Sequence, residues 1–264
     1  MSDKILVTIE DHVQIITLNN PKKKNAFDTE MIEAWTKALK DAQANDDVHV
    51  VVVTGSEAGK AFCSGGDVGN MKKNENAAAL NTKNNLWESI HNIPKTLNEM
   101  DKPVIAAING VAVGAGLDMA LMTDFRVMAD TAKVNEGYVK VGLIPGDGGA
   151  YFLPRIVGQA KAYELFWTGD FIDAEEALRL GLVNHVYPSE TFMEETMKLA
   201  KRIADGPQLA IRMTKRAVRQ SLKSDLETSL DMISSHMSVI KETEDHKEGV
   251  RAFLEKRKPQ FKGR

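Results

Sequence analysis

Two glycine-rich segments carry backbone groups suited to stabilising a negative charge. The first, at 61–67, follows the β-branched run Val48–Val53. The second, at 109–120, follows the apolar run Val104–Ile108 and leads into a helix predicted at Leu117–Met122. Glycines after a strand let the backbone approach a ligand closely, and free N–H groups at a helix start favour a developing anion. One N–H from each segment would make a two-donor oxyanion hole, although each segment alone is equally typical of a plain strand-to-helix turn.

A carboxylate lies beside the second segment. Asp118 follows Ala115 by three residues, so the two fall on one face of the predicted helix. An anion-stabilising N–H and a potential acid/base would then sit one turn apart. The simpler interpretation is that Asp118 only complements the positive end of the helix.

The surrounding elements alternate between strands and helices, which favours parallel βαβ units. Ile5–Ile9 and Val13–Leu18 are predicted to form a hairpin, and Asp28 is predicted to cap a helix through about Ala44. We predict an extended segment from Val134 to Gly149, and caps at Asp173 and Ser189. The pattern indicates a core over residues 1–188 and a helical C-terminal region over 189–264.

Composition narrows the class of protein. Lys and Arg total 34 against 37 Asp and Glu, which argues against a nucleic-acid binder. The single cysteine, Cys63, cannot form a disulfide within the chain. Apolar runs are too short for a membrane span, and the histidines show no metal-ligand spacing. We therefore expect a cytoplasmic protein without a metal and without membrane or nucleic-acid partners.

Several motifs resemble those of the crotonase (enoyl-CoA hydratase/isomerase) superfamily over nearly the whole chain. They lie at Asn20-Pro21 with Asn25-Ala26-Phe27, at 61–67, at Lys102 to Gly110, at Gly114-Ala115-Gly116, at Gly142 to Gly146, at Leu153-Pro154-Arg155 with Gly158, at Thr168-Gly169, at Ala174 to Val183 and at Phe253 to Arg257. The resemblance implies an α/β fold, a crotonase (ClpP-like) spiral of ββα units whose helical C-terminal region serves in trimerisation. It also implies an acyl-CoA substrate, no permanently bound cofactor, and a homotrimer or dimer of trimers.

By position, the resemblance assigns the oxyanion N–H donors to Gly66 and Ala115. It places the first of the two glutamates that family hydratases use at Asp118, and the second at Tyr138. Tyr138 is not a carboxylate, and a phenol with a pKa of about 10 is a donor or pocket wall at neutral pH. This departure puts the two-glutamate hydration mechanism in doubt.

Two nearby carboxylates could supply the missing acid. Glu136 precedes Tyr138 by two residues, so both would face one side of a regular strand; otherwise Glu136 is a surface residue. Asp147 lies in a glycine-rich turn, one residue after the place where family isomerases carry an acid. It could equally be a turn-forming residue.

The resemblance further implies contacts to coenzyme A. They fall on Lys24 in the basic run 22–24, on the motif residues Ala26, Ser64, Gly66 and Asp67, and on Lys256 near the C-terminus. The basic run 22–24 and the basic run 256–258, which contains Lys256, are also compatible with solvated charged surfaces.

These observations favour addition of water to a 2-enoyl-CoA through a thioester enolate, the commonest activity of the family. The alternatives are an enoyl-CoA isomerase, a thioester hydrolase or ring-opening enzyme, and a non-catalytic acyl-CoA-binding homologue.

Overall fold

The computed structural model describes residues 3–67, 69 and 78–264. Within them the strands form two sheets, of six strands in the order β1-β2-β3-β5-β7-β10 and of four in the order β4-β6-β8-β9. The strands are β1 Ile5–Glu10, β2 Val13–Leu18, β3 Val50–Gly55, β4 Ala61–Cys63, β5 Val104–Ile108, β6 Val111–Val113, β7 Phe125–Ala129, β8 Lys133–Asn135, β9 Ile172–Asp173 and β10 His185–Tyr187.

From β3 to β8, successive strands alternate between the two sheets. β3, β5 and β7 are parallel neighbours in the large sheet, while β4, β6 and β8 are parallel neighbours in the small one. Each turn of the chain therefore adds one strand to each sheet, and the chain advances as a spiral. Residues that follow β4, β6 and β8 are brought together because those strands run parallel.

Helices connect the strands of the two sheets and also form the C-terminal part of the chain. They are α1 Thr29–Ala44, α2 Ala79–Asn85, α3 Asn92–Glu99, α4 Ala115–Leu121, α5 Gly149–Val157, α6 Gln159–Thr168, α7 Ala174–Arg179, α8 Phe192–Ala204, α9 Gln208–Ser221, α10 Leu226–Glu242 and α11 Glu244–Leu254. A π-helical turn at Leu86–Ile90 separates α2 from α3. Asp28 and Asp173 cap α1 and α7 through their side chains, as predicted.

Two local predictions are wrong. The segment from Val134 to Gly149 is not extended: β8 ends at Asn135 and a 3-10 helix spans Gly137–Val141. Ser189 does not cap a helix, because α8 begins at Phe192 and the Ser189 side chain instead donates to Asp130. Both errors came from local propensity, which tertiary contacts overrode.

The core lies on the large sheet, where Val50 to Val53 and Val104 to Ile108 are fully buried. Helix α8 buries Phe192, Ala200 and Ala204 in the same core, so the chain after residue 188 also contributes to it. In the described part of the chain, no helix has the length and apolar character needed to span a membrane. The division at residue 188 stays a prediction.

Candidate active site

The loop after β4 carries the first predicted oxyanion donor. Phe27 pairs with Gly66 in an isolated parallel bridge, in which the Phe27 N–H donates to Gly65 O at 2.9 Å and the Asp67 N–H donates to Phe27 O at 3.0 Å. This bridge uses the carbonyl oxygen of Gly65 and the N–H group of Asp67, which flank Gly66, but not the N–H group of Gly66. Within the described residues, the Gly66 N–H has no acceptor and is free to bind a ligand oxygen.

The second predicted donor faces the same space. Ala115 begins α4, and its N–H likewise has no acceptor in the described chain, as expected at a helix start. A Cβ built on Gly65 would lie 3.7 Å from Ala115 N, which shows how closely the two loops approach. A Cβ on Gly116 would lie 2.1 Å from the Cys63 carbonyl oxygen. Backbone therefore packs directly on backbone, which only glycine permits at these positions.

Asp118 is a fully buried carboxyl group one turn into α4. Its Oδ2 accepts a hydrogen bond from the Tyr138 hydroxyl at 2.7 Å. Burial raises the pKa of Asp118 to about 6, although hydrogen bonds from Tyr138 and Gly149 oppose the rise. An acid/base that titrates near neutral pH suits proton transfer. The interpretation of Asp118 as a mere helix-end charge does not account for these contacts.

Tyr138 lies between two carboxyl groups. Its hydroxyl oxygen is 2.7 Å from Asp118 Oδ2 and 2.8 Å from Asp147 Oδ2. A phenol has one proton, so it can donate to only one of them. Both short contacts are satisfied when one carboxyl is protonated and donates to the phenol oxygen. Burial and the two neighbouring carboxyls raise the pKa of Tyr138, so the phenol itself stays neutral.

Asp147 lies in the turn before α5, and its carboxyl group is hydrogen-bonded to the Tyr138 hydroxyl and not to a backbone N–H of the turn. Its side chain is 7% exposed, and burial raises the pKa of the carboxyl group. The preceding peptide is anchored because His91 Nε2–H donates to the Gly146 carbonyl oxygen at 2.9 Å. No sequence pattern pointed to His91, because no local motif joins it to a turn 55 residues away.

Glu136 also enters the site, but not by the predicted route. It follows β8 just before the 3-10 helix, so strand alternation does not explain its direction. It is 1% exposed, and its carboxyl group lies within hydrogen-bonding reach of Asp118. The alternative of a surface glutamate is therefore wrong.

The predicted coenzyme A residues divide into two groups. The Ser64 N–H donates to the Lys24 carbonyl oxygen at 3.1 Å, and Ser64 Oγ donates to the Lys23 carbonyl oxygen at 2.9 Å. The Lys23 ammonium forms an ion pair with Asp67. These contacts hold the loops of Lys24, Ala26 and Ser64 close to Gly66, and they form the first group. Lys256 is the second group, because within the described residues no hydrogen bond or ion pair joins it to the first.

Comparison with known proteins identifies the family. A sequence model described as enoyl-CoA hydratase/isomerase matches residues 8–264. The chain belongs to the enoyl-CoA hydratase/isomerase family. It is 36% identical to a crotonyl-CoA hydratase of Syntrophomonas wolfei, over 98% of each chain. It is 34% identical to a 1,2-epoxyphenylacetyl-CoA isomerase of Escherichia coli, over 100% of each chain.

Solved structures agree with this assignment. An enoyl-CoA hydratase of Bacillus anthracis superposes with a TM-score of 0.90 at 32% identity, over 99% of this chain and 100% of that one. The expected crotonase fold is thereby confirmed. The protein is an enzyme of the enoyl-CoA hydratase/isomerase type.

Proposed function

We propose that the enzyme isomerises a 3-enoyl-CoA to the conjugated 2-enoyl-CoA. The observation that carries this proposal is the position of the Tyr138 hydroxyl, 2.7 and 2.8 Å from two buried carboxyl groups. A water molecule activated by two carboxylates would need the place that this hydroxyl fills. The arrangement supports the transfer of a proton between two substrate carbons better than the addition of water.

The proposed mechanism moves one proton away from the substrate and another back to it. The Gly66 and Ala115 N–H groups bind the thioester oxygen, so that charge from the breaking C2–H bond collects on an oxygen with two donors. The Asp118 carboxylate accepts the C2 proton and leaves a dienolate. Protonated Asp147 delivers a proton to C4, and the double bond moves from C3–C4 to C2–C3.

Tyr138 then restores the starting protonation states of Asp118 and Asp147. Protonated Asp118 gives its proton to the phenol oxygen while the phenol gives its own to Asp147, so one hydroxyl bridges both steps. The pKa of each carboxyl is raised by burial, which lets each hold a proton at neutral pH. The protons balance over one cycle, and no bound cofactor is needed beyond the coenzyme A of the substrate.

Hydration of a 2-enoyl-CoA is the second candidate, and the names of the relatives favour it. The Syntrophomonas wolfei protein is a crotonyl-CoA hydratase, and an Escherichia coli relative at 34% identity is a 2,3-dehydroadipyl-CoA hydratase. Hydration here would require Tyr138 to move aside and admit water between Asp118 and Asp147. The thioester-hydrolase and non-catalytic alternatives have no supporting contact of their own.

Two further parts of the proposal concern binding and assembly. Lys24, Ala26, Ser64, Gly66 and Asp67 would contact the coenzyme A moiety, with Lys256 as a separate contact.

We also propose a homotrimer or dimer of trimers, supported by exposed apolar side chains on and beside α10: Leu222, Leu226, Leu230, Ile233 and Met237. Light scattering on the purified protein tests the assembly, and a monomer at micromolar concentration would contradict it.

The test of function compares two substrates. Purified enzyme receives crotonyl-CoA in one assay and a 3-enoyl-CoA in another, with products identified by mass. We expect the 3-enoyl substrate to give a conjugated product of unchanged mass, and to react faster than crotonyl-CoA adds water. Faster hydration of crotonyl-CoA would instead establish the second candidate.

A further inference from the structure

Glu136 is a buried carboxyl group that the proposed proton transfers do not use. Its side chain is 1% exposed. No N–H group or hydroxyl of the described residues donates to either of its oxygens. An ionised carboxylate deprived of both water and donors is strongly unfavourable, so this group holds its proton.

The acceptor for that proton is Asp118. The Glu136 carboxyl lies in hydrogen-bonding reach of the Asp118 carboxyl, and a protonated acid beside a carboxylate forms a strong, charge-assisted hydrogen bond. The preceding residue is anchored, because the Gly114 N–H donates to the Asn135 carbonyl oxygen at 2.8 Å and Asn135 Nδ2 donates to the Gly169 carbonyl oxygen at 3.0 Å. Glu136 is thereby held inside the site.

We infer that Glu136 is a positioning residue that stays protonated, donates a hydrogen bond to Asp118, and keeps the Asp118 carboxylate ionised in a site with little water. This inference rests on the role proposed for Asp118 in the isomerisation. It adds a third carboxyl group that does not touch the substrate and acts only through Asp118.

The ionisable groups around Glu136 and Asp118 determine in which direction the pKa of each carboxyl group is shifted. Asp118 contacts Tyr138 and Glu136 and lies close to the charge of Asp147. Asp147 in turn lies near enough to the His91 imidazole and to the buried Cys63 thiol to interact electrostatically with each of them. Burial, then the charge of Asp118, raises the pKa of Glu136 well above its ordinary value. In return, the hydrogen bond from Glu136 lowers the pKa of Asp118.

Two variants distinguish a hydrogen-bond donor at position 136 from a side chain that only fills the space. Glu136→Gln keeps a donor in the same shape, while Glu136→Leu keeps the volume and removes the donor. Loss of one hydrogen bond to a charged group should raise the Asp118 pKa by about one to two units. The acid limb of kcat/KM for the 3-enoyl substrate should therefore move up by about one to two pH units in the Leu variant and stay in place in the Gln variant.

Recovery at high pH distinguishes this role from a structural one. At pH 7 the Leu variant should be about 2- to 10-fold slower, because a smaller fraction of Asp118 is ionised, and at pH 9 it should come within about twofold of the Gln variant. An acid limb that does not move, or a loss that persists at pH 9, overturns the inference.

Difference infrared spectroscopy on the isotope-labelled wild-type enzyme reads the proton directly, without turnover. We expect a carboxylic-acid carbonyl band at pH 7 that is absent in Glu136→Gln and shifted in Asp118→Asn. Protonated Asp147 gives a carbonyl band of its own, so the Glu136 band is identified by its loss in Glu136→Gln. If the wild type shows only a band that persists in Glu136→Gln, the inference about Glu136 is overturned while the isomerase proposal stays intact. A band present in an enzyme that shows no isomerisation supports the Glu136–Asp118 pair and removes the proposed function instead.

Discussion

Gly149 is the residue whose enlargement should disable the site without changing any ionisable group. It begins α5, and a Cβ built on it would lie 2.2 Å from Asp118 Oδ1 and 2.9 Å from Asp118 Cγ. The shortest carbon–oxygen contact that packing tolerates is about 3 Å or more. In Gly149→Ala the Asp118 carboxylate must therefore move by about 1 Å.

The expected cost falls on catalysis more than on stability. A displacement of about 1 Å in a reacting group lowers turnover by about 100-fold. Overpacking of this kind destabilises a protein by about 1–3 kcal/mol, and the better helix propensity of alanine offsets up to about 1 kcal/mol. With about 2–4 °C of melting temperature for each kcal/mol in a chain of this size, we expect a fall of no more than about 12 °C.

Gly146→Ala provides the matched control. It adds the same methyl group to the same turn, but the nearest atom is the Ile144 carbonyl oxygen at 3.7 Å, an ordinary contact. We expect Gly146→Ala to retain turnover within a few-fold. Steady-state rates, melting temperature and acyl-CoA affinity are measured on both variants. Wild-type turnover in a folded Gly149→Ala enzyme would refute the placement of Asp118 against α5.

Three further predictions address the remaining groups. Asp118→Asn should keep acyl-CoA binding by calorimetry and lose at least about 100-fold in kcat, and unchanged kcat would remove Asp118 from the mechanism. Ala115→Pro removes one oxyanion N–H at a helix position that tolerates proline, so kcat should fall about 100- to 1000-fold; Ala115→Gly keeps the N–H and should stay within a few-fold, and equal losses in both would point away from the N–H. Tyr138→Phe should raise the pKa of Asp118, because a hydrogen bond to the carboxylate is lost, and should thereby move the acid limb of the pH–rate profile upward; an unmoved limb would show that the hydroxyl does not act on Asp118.

Much of the fold could be predicted from the sequence, because the strongest sequence patterns are local. The hairpin at Ile5 and the cap at Asp28 follow from alternating apolar residues and from a short polar side chain before an amphipathic helix. Phe27 and Gly66 both lie in motifs that resemble those of the family, but their pairing is non-local and no sequence pattern predicted it.

The acid/base groups were only partly predictable. Asp118 follows from its place one turn into a helix, but the direction of Glu136 depends on the chain leaving β8 for a 3-10 helix that no local pattern marked. The contact from His91 to Gly146 joins residues 55 apart. Such contacts are set by how the spiral stacks, and a single sequence has no signal for them.

The proposed mechanism rests on the claim that Asp118 removes a proton from C2 of the substrate, that Asp147 delivers another to C4, and that Tyr138 links the two carboxyl groups. The most direct measurement incubates a 3-enoyl-CoA with the wild-type enzyme in deuterated buffer and determines the mass of the product. We predict a 2-enoyl-CoA without added water that carries one solvent deuterium at C4 after a single turnover, because the exchangeable proton of Asp147 is replaced by deuterium in this buffer. A first product that is heavier by one molecule of water, or the absence of any conjugated product, would contradict the claim.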